Sequence, residues 1–425
     1  MNSIEVISPK QDAKNRTVWD EFFPYYAGYP VKFASTIIES IDLARGSVVL
    51  DPWSGSGTTP YAAARAGVDS LGFDINPAMV VVAKARLLPP SEASSLLPIV
   101  DQIIGVSRSF EPLDAHDPLS VWFGPQTACH LRSVEMGIRE VLVGRQLNAE
   151  TDINSISCLA SAFYVALFAV TRSLAGKFRG SNPTWLRSPK KGEIRVSVSQ
   201  ERIFMAFRSK LAQMADALAS QRDIVNDSRI DIRLADSTNI PLPDSTVDAV
   251  ITSPPYCTRI DYATTTRSEL AVLHGLLPSC HVDLGRRMLG SIRVPQRTIE
   301  VRESWGGACG KFLRAVASHE SKASAGYYLK THLDYFDKLD KSIGEVSRVL
   351  KSHGVLVMVV QDSFYKDIHN DLPRIVTEIS RNHSLRMRQR NDFLIRRSMA
   401  SINNKSKAYR SRSDAVEAVL CFQKD

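Results

Sequence analysis

The stretch SVVLDPWSGSGTTPYAAARAGVDSLGFD, residues 47–74, decides the fold. Val48, Val49 and Leu50 form the aliphatic run of a short buried strand, and Asp51-Pro52 ends it. Gly55 and Gly57 make a tight turn, the Ala-rich run from Tyr61 to Ala66 reads as a helix, and Gly67 closes it. Leu71-Gly-Phe-Asp74 is a second strand ending in an acid. Strand, glycine turn, helix and strand-acid follow one another at short spacing, an alternating α/β order. The chemistry suits a nucleoside-bearing cofactor. Glycines let the backbone approach it, the helix N-terminus offers free N–H groups, and the acid can hold ribose hydroxyls. A third glycine at the pyrophosphate-fingerprint offset is missing, and no Gly-Lys-Ser/Thr follows, which excludes that fingerprint and the P-loop.

A second stretch, VDAVITSPPY at 247–256, has the same logic. An apolar run of the kind that makes a buried strand stops at two prolines, which fix their own backbone and hold their predecessors out of the helical region. Ser253, Pro254, Pro255 and Tyr256 therefore form a stiff extended segment at the carboxyl end of a strand, where open α/β sheets bind ligands. A hydroxyl, a fixed carbonyl and an aromatic ring suit a planar ring bearing an amine. Taken alone, the segment reads more readily as a proline-terminated strand with a core tyrosine.

Asp-Pro-x-x-Gly-Ser-Gly-Thr-Thr at 51–59, joined with Ser-Pro-Pro-Tyr at 253–256, resembles the S-adenosylmethionine-dependent DNA amino-methyltransferases of the cytosine-N4/adenine-N6 type. The resemblance implies a Rossmann-like methyltransferase sheet of seven strands, mostly parallel, with an antiparallel closing hairpin and two inserted, largely helical or irregular regions. It implies S-adenosylmethionine as cofactor, with Asp51, Pro52, Gly55, Gly57, Thr58 and Thr59 in the cofactor loop. Asp74, with Asn76 beside it, matches the ribose-binding acid, and Asp236 and Ser237 match the position that contacts adenine. Ser253, Pro254, Pro255 and Tyr256 match the catalytic segment. Its Ser-Pro-Pro-Tyr form is similar to the cytosine-N4 branch, whereas adenine enzymes more often carry Asp or Asn first. Many cytosine-N4 enzymes place the catalytic motif before the cofactor loop; here the loop comes first. An RNA methyltransferase acting on a guanine amine in tRNA, and a nucleic-acid-binding protein on a degenerate methyltransferase fold, are the alternatives.

The matching segments set the expected organisation: a catalytic core of 25–90, 229–273 and 326–425, a helical insertion at 91–228 and a second, irregular insertion at 274–325. Within the first insertion, helices are expected at 91–109, 130–143 and 153–174, the last apolar all round and therefore buried. In the second, Gly306, Gly307 and Gly310 point to mobility. A helix is expected over 258–273, and a long one from Leu329 to Leu350 that ends at His353-Gly354. Leu385–Leu394 and Ala415–Phe422 would form the closing hairpin.

With 425 residues, 44% of them apolar, the chain can bury a large core, and a net charge of +8 leans toward a polyanionic partner. Lys177, Arg179, Arg187, Lys190 and Lys191, interleaved with Phe178 and Trp185, suit phosphate contact with base stacking, or equally a solvated loop around a buried tryptophan. A second basic run, from Arg386 to Arg412, includes Arg396 and Arg397. The expected partner is double-stranded DNA, with a restriction or defence partner left open. The six cysteines contain no C-x-x-C pair and read as reduced thiols of a cytoplasmic protein. Cys280-His281 with Cys309 and His319 fits no common zinc spacing, so no metal is expected. No apolar run is read as a membrane span and no signal-peptide pattern opens the chain.

Overall fold

The computed structural model describes residues 3–11, 17, 19–24, 28–109, 117–144, 153–180, 185–221, 228–257, 262–277, 284–291, 293, 297–395 and 415–425. The main sheet has seven strands in the order β3-β2-β1-β4-β5-β9-β8. They are β1 (Val48–Asp51), β2 (Asp69–Asp74), β3 (Ile230–Leu234), β4 (Val247–Thr252), β5 (Leu350–Gln361), β8 (Leu385–Ile395) and β9 (Ala415–Lys424), while β6 (Ser363–Tyr365) and β7 (Ile368–Asn370) form a separate small hairpin. β1 to β5 are parallel neighbours, and β9 runs antiparallel between β5 and β8. The chain winds outward from β1 to β3, then returns to β4 on the other side of β1. That reversal opens a crevice between the carboxyl ends of β1 and β4.

Strand residues alternate between two cores, as a covered sheet requires. Val49, Ala249 and Ile251 face a layer built from α2 (Val31–Ser40) and α3 (Thr58–Ala66), whereas α1 (Trp19–Phe22) packs in the cluster around α7 (Cys158–Leu174). Leu50 and Val250 face the opposite layer, built on α12 (Gly306–Ser318), α13 (Leu329–Val349) and α14 (Leu372–Asn382).

A third apolar cluster joins α4 (Pro77–Arg86) to the first insertion, whose helices are α5 (Leu96–Ser107), α6 (Pro125–Ile138), α7 (Cys158–Leu174) and α8 (Gln200–Ala219). α7 is buried as its all-round apolarity requires: Phe163, Tyr164, Leu167 and Phe168 are fully covered. By length and hydropathy Cys158–Phe178 could cross a membrane, contrary to the sequence reading, but 67% of its most apolar stretch is buried inside the protein.

Three expectations change. The span 258–273 is described from 262 as two short helices, α9 (Tyr262–Thr265) and α10 (Arg267–Val272), broken at Thr266. α13 stops at Val349, not at His353-Gly354, because Leu350 already pairs with Val247 on β4. The second insertion is not irregular: beyond α11 (Leu284–Arg287) it holds the three-turn α12, glycines included. Cys309, Phe312, Leu313 and Val316 bury one face of α12 in the core, and Glu378 of α14 accepts from the backbone N–H of Ala308 at 2.8 Å. Core burial outweighs the cost of glycine, about 1 kcal/mol each in a helix.

Candidate active site

The crevice at the β1–β4 reversal is an open cleft with about 950 Å³ of empty space. Its walls include Asp51, Pro52, Gly55 and Thr58 from the turn after β1, Asp74 and Asn76 after β2, Asp236 and Ser237 after β3, and Ser253, Pro254 and Pro255 after β4. Eleven residues singled out in four separate stretches of the chain thus meet on one surface.

Hydrogen bonds fix each wall. Asp51 accepts from Thr252 Oγ1 at 2.6 Å and from the Trp53 N–H at 3.2 Å, and Tyr29 OH lies 3.4 Å from its other oxygen. Thr252 is the last residue of β4, so this contact ties together the two strand ends that flank the reversal. Asp74 accepts from the Gly55 N–H at 2.9 Å and the Asn76 N–H at 2.8 Å, clamping the first turn to the start of α4. Asn76 caps α4 and donates to Thr266 at 2.8 Å. Asp236 accepts from Thr238 and faces Arg287 at 3.5 Å, and Ser237 meets Ser342 at 2.9 Å. Burial pushes the carboxyls of Asp51 and Asp74 up to about 6, despite the donors that stabilise their ionised forms.

Three predicted residues lie elsewhere. Gly57 sits behind the turn in the left-handed region at φ 76°, where a Cβ would come within 2.8 Å of Ala83. Thr59 is fully buried and bonds Tyr29 at 2.6 Å and the Ile251 carbonyl at 3.2 Å, bracing the floor rather than lining it. Tyr256 is half-buried and outside the cleft wall, its hydroxyl 3.5 Å from Glu417 of β9. The Pro-Pro segment is held from the side by Tyr335, which donates to the Pro255 carbonyl at 3.0 Å.

The basic loop of the first insertion is partly self-neutralised. Arg187 makes a two-pronged ion pair with Glu193 at 2.6 and 2.7 Å, which holds that carboxyl down to about 2. Lys177 donates to the Ile194 carbonyl at 2.6 Å, and Arg179 borders a different groove, beside Phe22 and Leu186. Phe178 is fully buried beneath Lys177 and Arg187, so it offers no face to a base. Trp185 is half-buried with its indole N–H unpartnered, and Lys190 and Lys191 are exposed. Arg396, Arg397, Cys280 and His281 lie outside the described residues. Among the described residues no cluster of His, Cys, Asp and Glu could hold a metal.

Residues 3–85 match the family described as DNA methylase, of the N6/N4 type. The match spans the N-terminal part of the chain, including the glycine turn and both strand-ending acids. The chain is similar to the type II methyltransferase M.MvaI of Kocuria varians, at 25% identity over 361 residues, 79% of this chain and 74% of that one. It is also similar to the type II methyltransferase M.BsoBI of Geobacillus stearothermophilus, at 25% identity over 62% of this chain and 54% of that one, about half its length. Among solved structures, the rRNA methyltransferase aviRa of Streptomyces viridochromogenes is similar at 10% identity and TM-score 0.31, over 96% of this chain and 93% of that one.

The cleft has the chemistry to take S-adenosylmethionine. Two carboxylates face donors that a nucleoside diol or an ammonium can supply. Ser54 Oγ and Trp53 Nε1, both on the cleft-lining turn, are buried without a partner. Sequence reasoning missed Thr252, Tyr29 and Tyr335. Each acts through a hydroxyl whose partner is remote in sequence, and no local pattern marks it.

Proposed function

We propose that this protein transfers a methyl group from S-adenosylmethionine to the exocyclic amine of a base flipped out of duplex DNA, cytosine N4 in preference to adenine N6. One observation carries the reading: Ser253, Pro254 and Pro255 share a wall with Asp51, Gly55 and Asp74 at the sheet's reversal point. The serine form of the motif favours cytosine. The cofactor supplies an electrophilic methyl group on a sulfonium. Asp74 and Asn76 would hold the ribose, Asp236 and Ser237 the adenine, and Asp51, Pro52, Gly55 and Thr58 the remainder.

An exocyclic amine is a poor nucleophile because its lone pair is delocalised into the ring. Ser253 Oγ and the Pro254 carbonyl accept its two hydrogens, favour a tetrahedral nitrogen and aim the lone pair at the methyl group. Serine is too weak a base to keep the proton, which leaves to solvent after transfer. Tyr256 stacks on the extruded base. Its hydroxyl contact with Glu417 holds the ring beyond the end of β5, on the side of Ser253 away from β1 and β2. The insertions 91–228 and 274–325 read the target sequence. A cognate restriction nuclease belongs to the same reading, since both relatives are named type II methyltransferases.

The test is to sequence DNA from cells expressing the protein, by a method that separates N4-methylcytosine from N6-methyladenine, beside cells expressing Ser253→Ala. We expect N4-methylcytosine at one short sequence, lost in the variant while cofactor affinity in calorimetry stays within about threefold. Methylated adenine would move the target to the other branch. Unmethylated DNA beside methylated tRNA guanine would replace the DNA reading with the RNA one. Full methylation by Ser253→Ala would remove Ser253 from the chemistry.

A further inference from the structure

Arg86 is the last residue of α4, and its side chain turns inward beneath the glycine turn with 7% of its surface exposed. Nη1 donates to the Ser56 carbonyl at 3.3 Å and to Thr58 Oγ1 at 3.1 Å, and the guanidinium lies over the Tyr61 ring at 5.2 Å. Nε is buried with no partner at all. Among the described residues no carboxylate comes within 4 Å of Arg86. Asp20, the nearest acid to act on it, already accepts from the Thr17 N–H and hydroxyl. Guanidinium groups are almost never buried this deeply unless paired.

The surroundings sharpen the anomaly. Ser56 and Thr58 stand at the N-terminus of α3, the positive end of a nine-residue helix, where a second cation is repelled. Burial pulls the Arg86 pKa down, so this cation is held at a cost. Helix end and guanidinium converge on a small side hollow, whose wall also carries Asp20 and Gln11. Gly28, Tyr29, Ser56 and Thr58 line both this hollow and the main cleft, so the one continues into the other. Arg86 and the positive helix end leave this hollow with a net positive charge even beside Asp20, which suits an anion arriving from the cleft.

The sheet order says which anion. Asp74 and Asp236 stand at the ends of β2 and β3, so an adenosine held there lies toward that side. The amino-acid end then runs the other way, over β1 toward the start of α3. We propose that Arg86 and the N-terminus of α3 together anchor the α-carboxylate of S-adenosylmethionine. This rests on the cofactor assignment made above and adds the residue that selects for the cofactor's amino-acid end. Charge-assisted hydrogen bonds at a helix N-terminus give that carboxylate a preformed seat, and the carboxylate supplies the missing counter-charge.

The test uses the full chain and two ligands that differ only by the carboxylate: S-adenosylmethionine and decarboxylated S-adenosylmethionine. In calorimetry the wild type should bind the first about 10- to 100-fold more tightly, as expected for a charged hydrogen bond. Arg86→Gln should bring the two affinities to within about threefold by weakening S-adenosylmethionine alone, and Arg86→Lys should restore part of the preference. Should Arg86→Gln not fold, the wild-type comparison and Arg86→Lys decide. Equal binding of both ligands by the wild type would overturn the proposal, as would an Arg86→Lys protein that keeps the full wild-type preference. Equal weakening of both ligands in Arg86→Gln would do the same. If the wild type binds neither ligand, the cofactor assignment falls, and this anchor falls with it.

Discussion

Asp51 is held in its charged form against a cost. Its carboxyl is covered, and burial lifts it from an ordinary 3.8 to about 6. For an acid raised in this way the folded state binds the proton more tightly than the unfolded state. That advantage is full below about pH 4 and is lost as pH rises through 6. Asp51→Asn keeps the shape and can still accept from Thr252 and Trp53. It should therefore stabilise the cofactor-free protein by about 2–3 kcal/mol at pH 8 and by almost nothing at pH 4. Urea denaturation at the two pH values checks this, and a larger gain at the lower pH would refute it. A residue that lowers stability when ionised is one retained for the ligand. Asp51 and Asp74 were legible in the sequence because strand-ending acids on either side of a glycine turn and helix are a local pattern. Arg86 was not, because its meaning lies in what it fails to pair with, and that appears only once α4 packs on α3.

At the scale of elements, the first turn is shaped as much by the α3–α4 contact as by its own glycines. Gly57 needs its positive φ, and its bare Cα faces Ala83. Gly46 has φ 82° with open space around it, which makes it the control. Gly46→Ala should cost about 1–2 kcal/mol from backbone strain alone. Gly57→Ala should cost about 1–3 kcal/mol more, because the added methyl forces α4 away from the turn. It should also weaken cofactor binding, although Gly57 does not line the cleft. Comparing chemical-denaturation midpoints of the two variants measures the difference, and equal losses would show that α4 yields freely. All seven strands of the main sheet were legible in local sequence, as were α7 and α13, but α8 was not called, although Ile203, Phe207, Leu211, Met214 and Leu218 recur on one helical face. The length of β5 was not, since Val247 recruits Leu350 from over a hundred positions away. Nor was α12, where glycines imitate a loop and only packing against α14 shows a helix.

For the whole molecule, the net charge of +8 matters only where cations are free to meet phosphate. The sequence pointed to two basic runs, at 177–191 and at 386–412, but composition cannot say which of the charges in the first are already spent. Arg187 is paired with Glu193 and Lys177 is tied to a backbone carbonyl, whereas the Lys190 and Lys191 side chains stand exposed. These two lysines are therefore the ones that should contact the DNA backbone. Neutralising both as Lys190→Gln and Lys191→Gln should weaken DNA binding by a similar factor on cognate and unrelated sequences. It should also reduce the slope of log affinity against log salt by about 2, one for each phosphate left without its lysine. Arg187→Gln, which frees Glu193 and so adds a negative charge near the loop, should weaken binding through repulsion and depend on Glu193. Pairing it with Glu193→Gln should recover most of the loss. Filter binding across a salt series reads both effects. An unchanged slope in the double lysine variant would make this loop ordinary solvated surface and move the DNA-binding face elsewhere on the molecule. Failure of Glu193→Gln to rescue would mean that Arg187 touches the DNA itself.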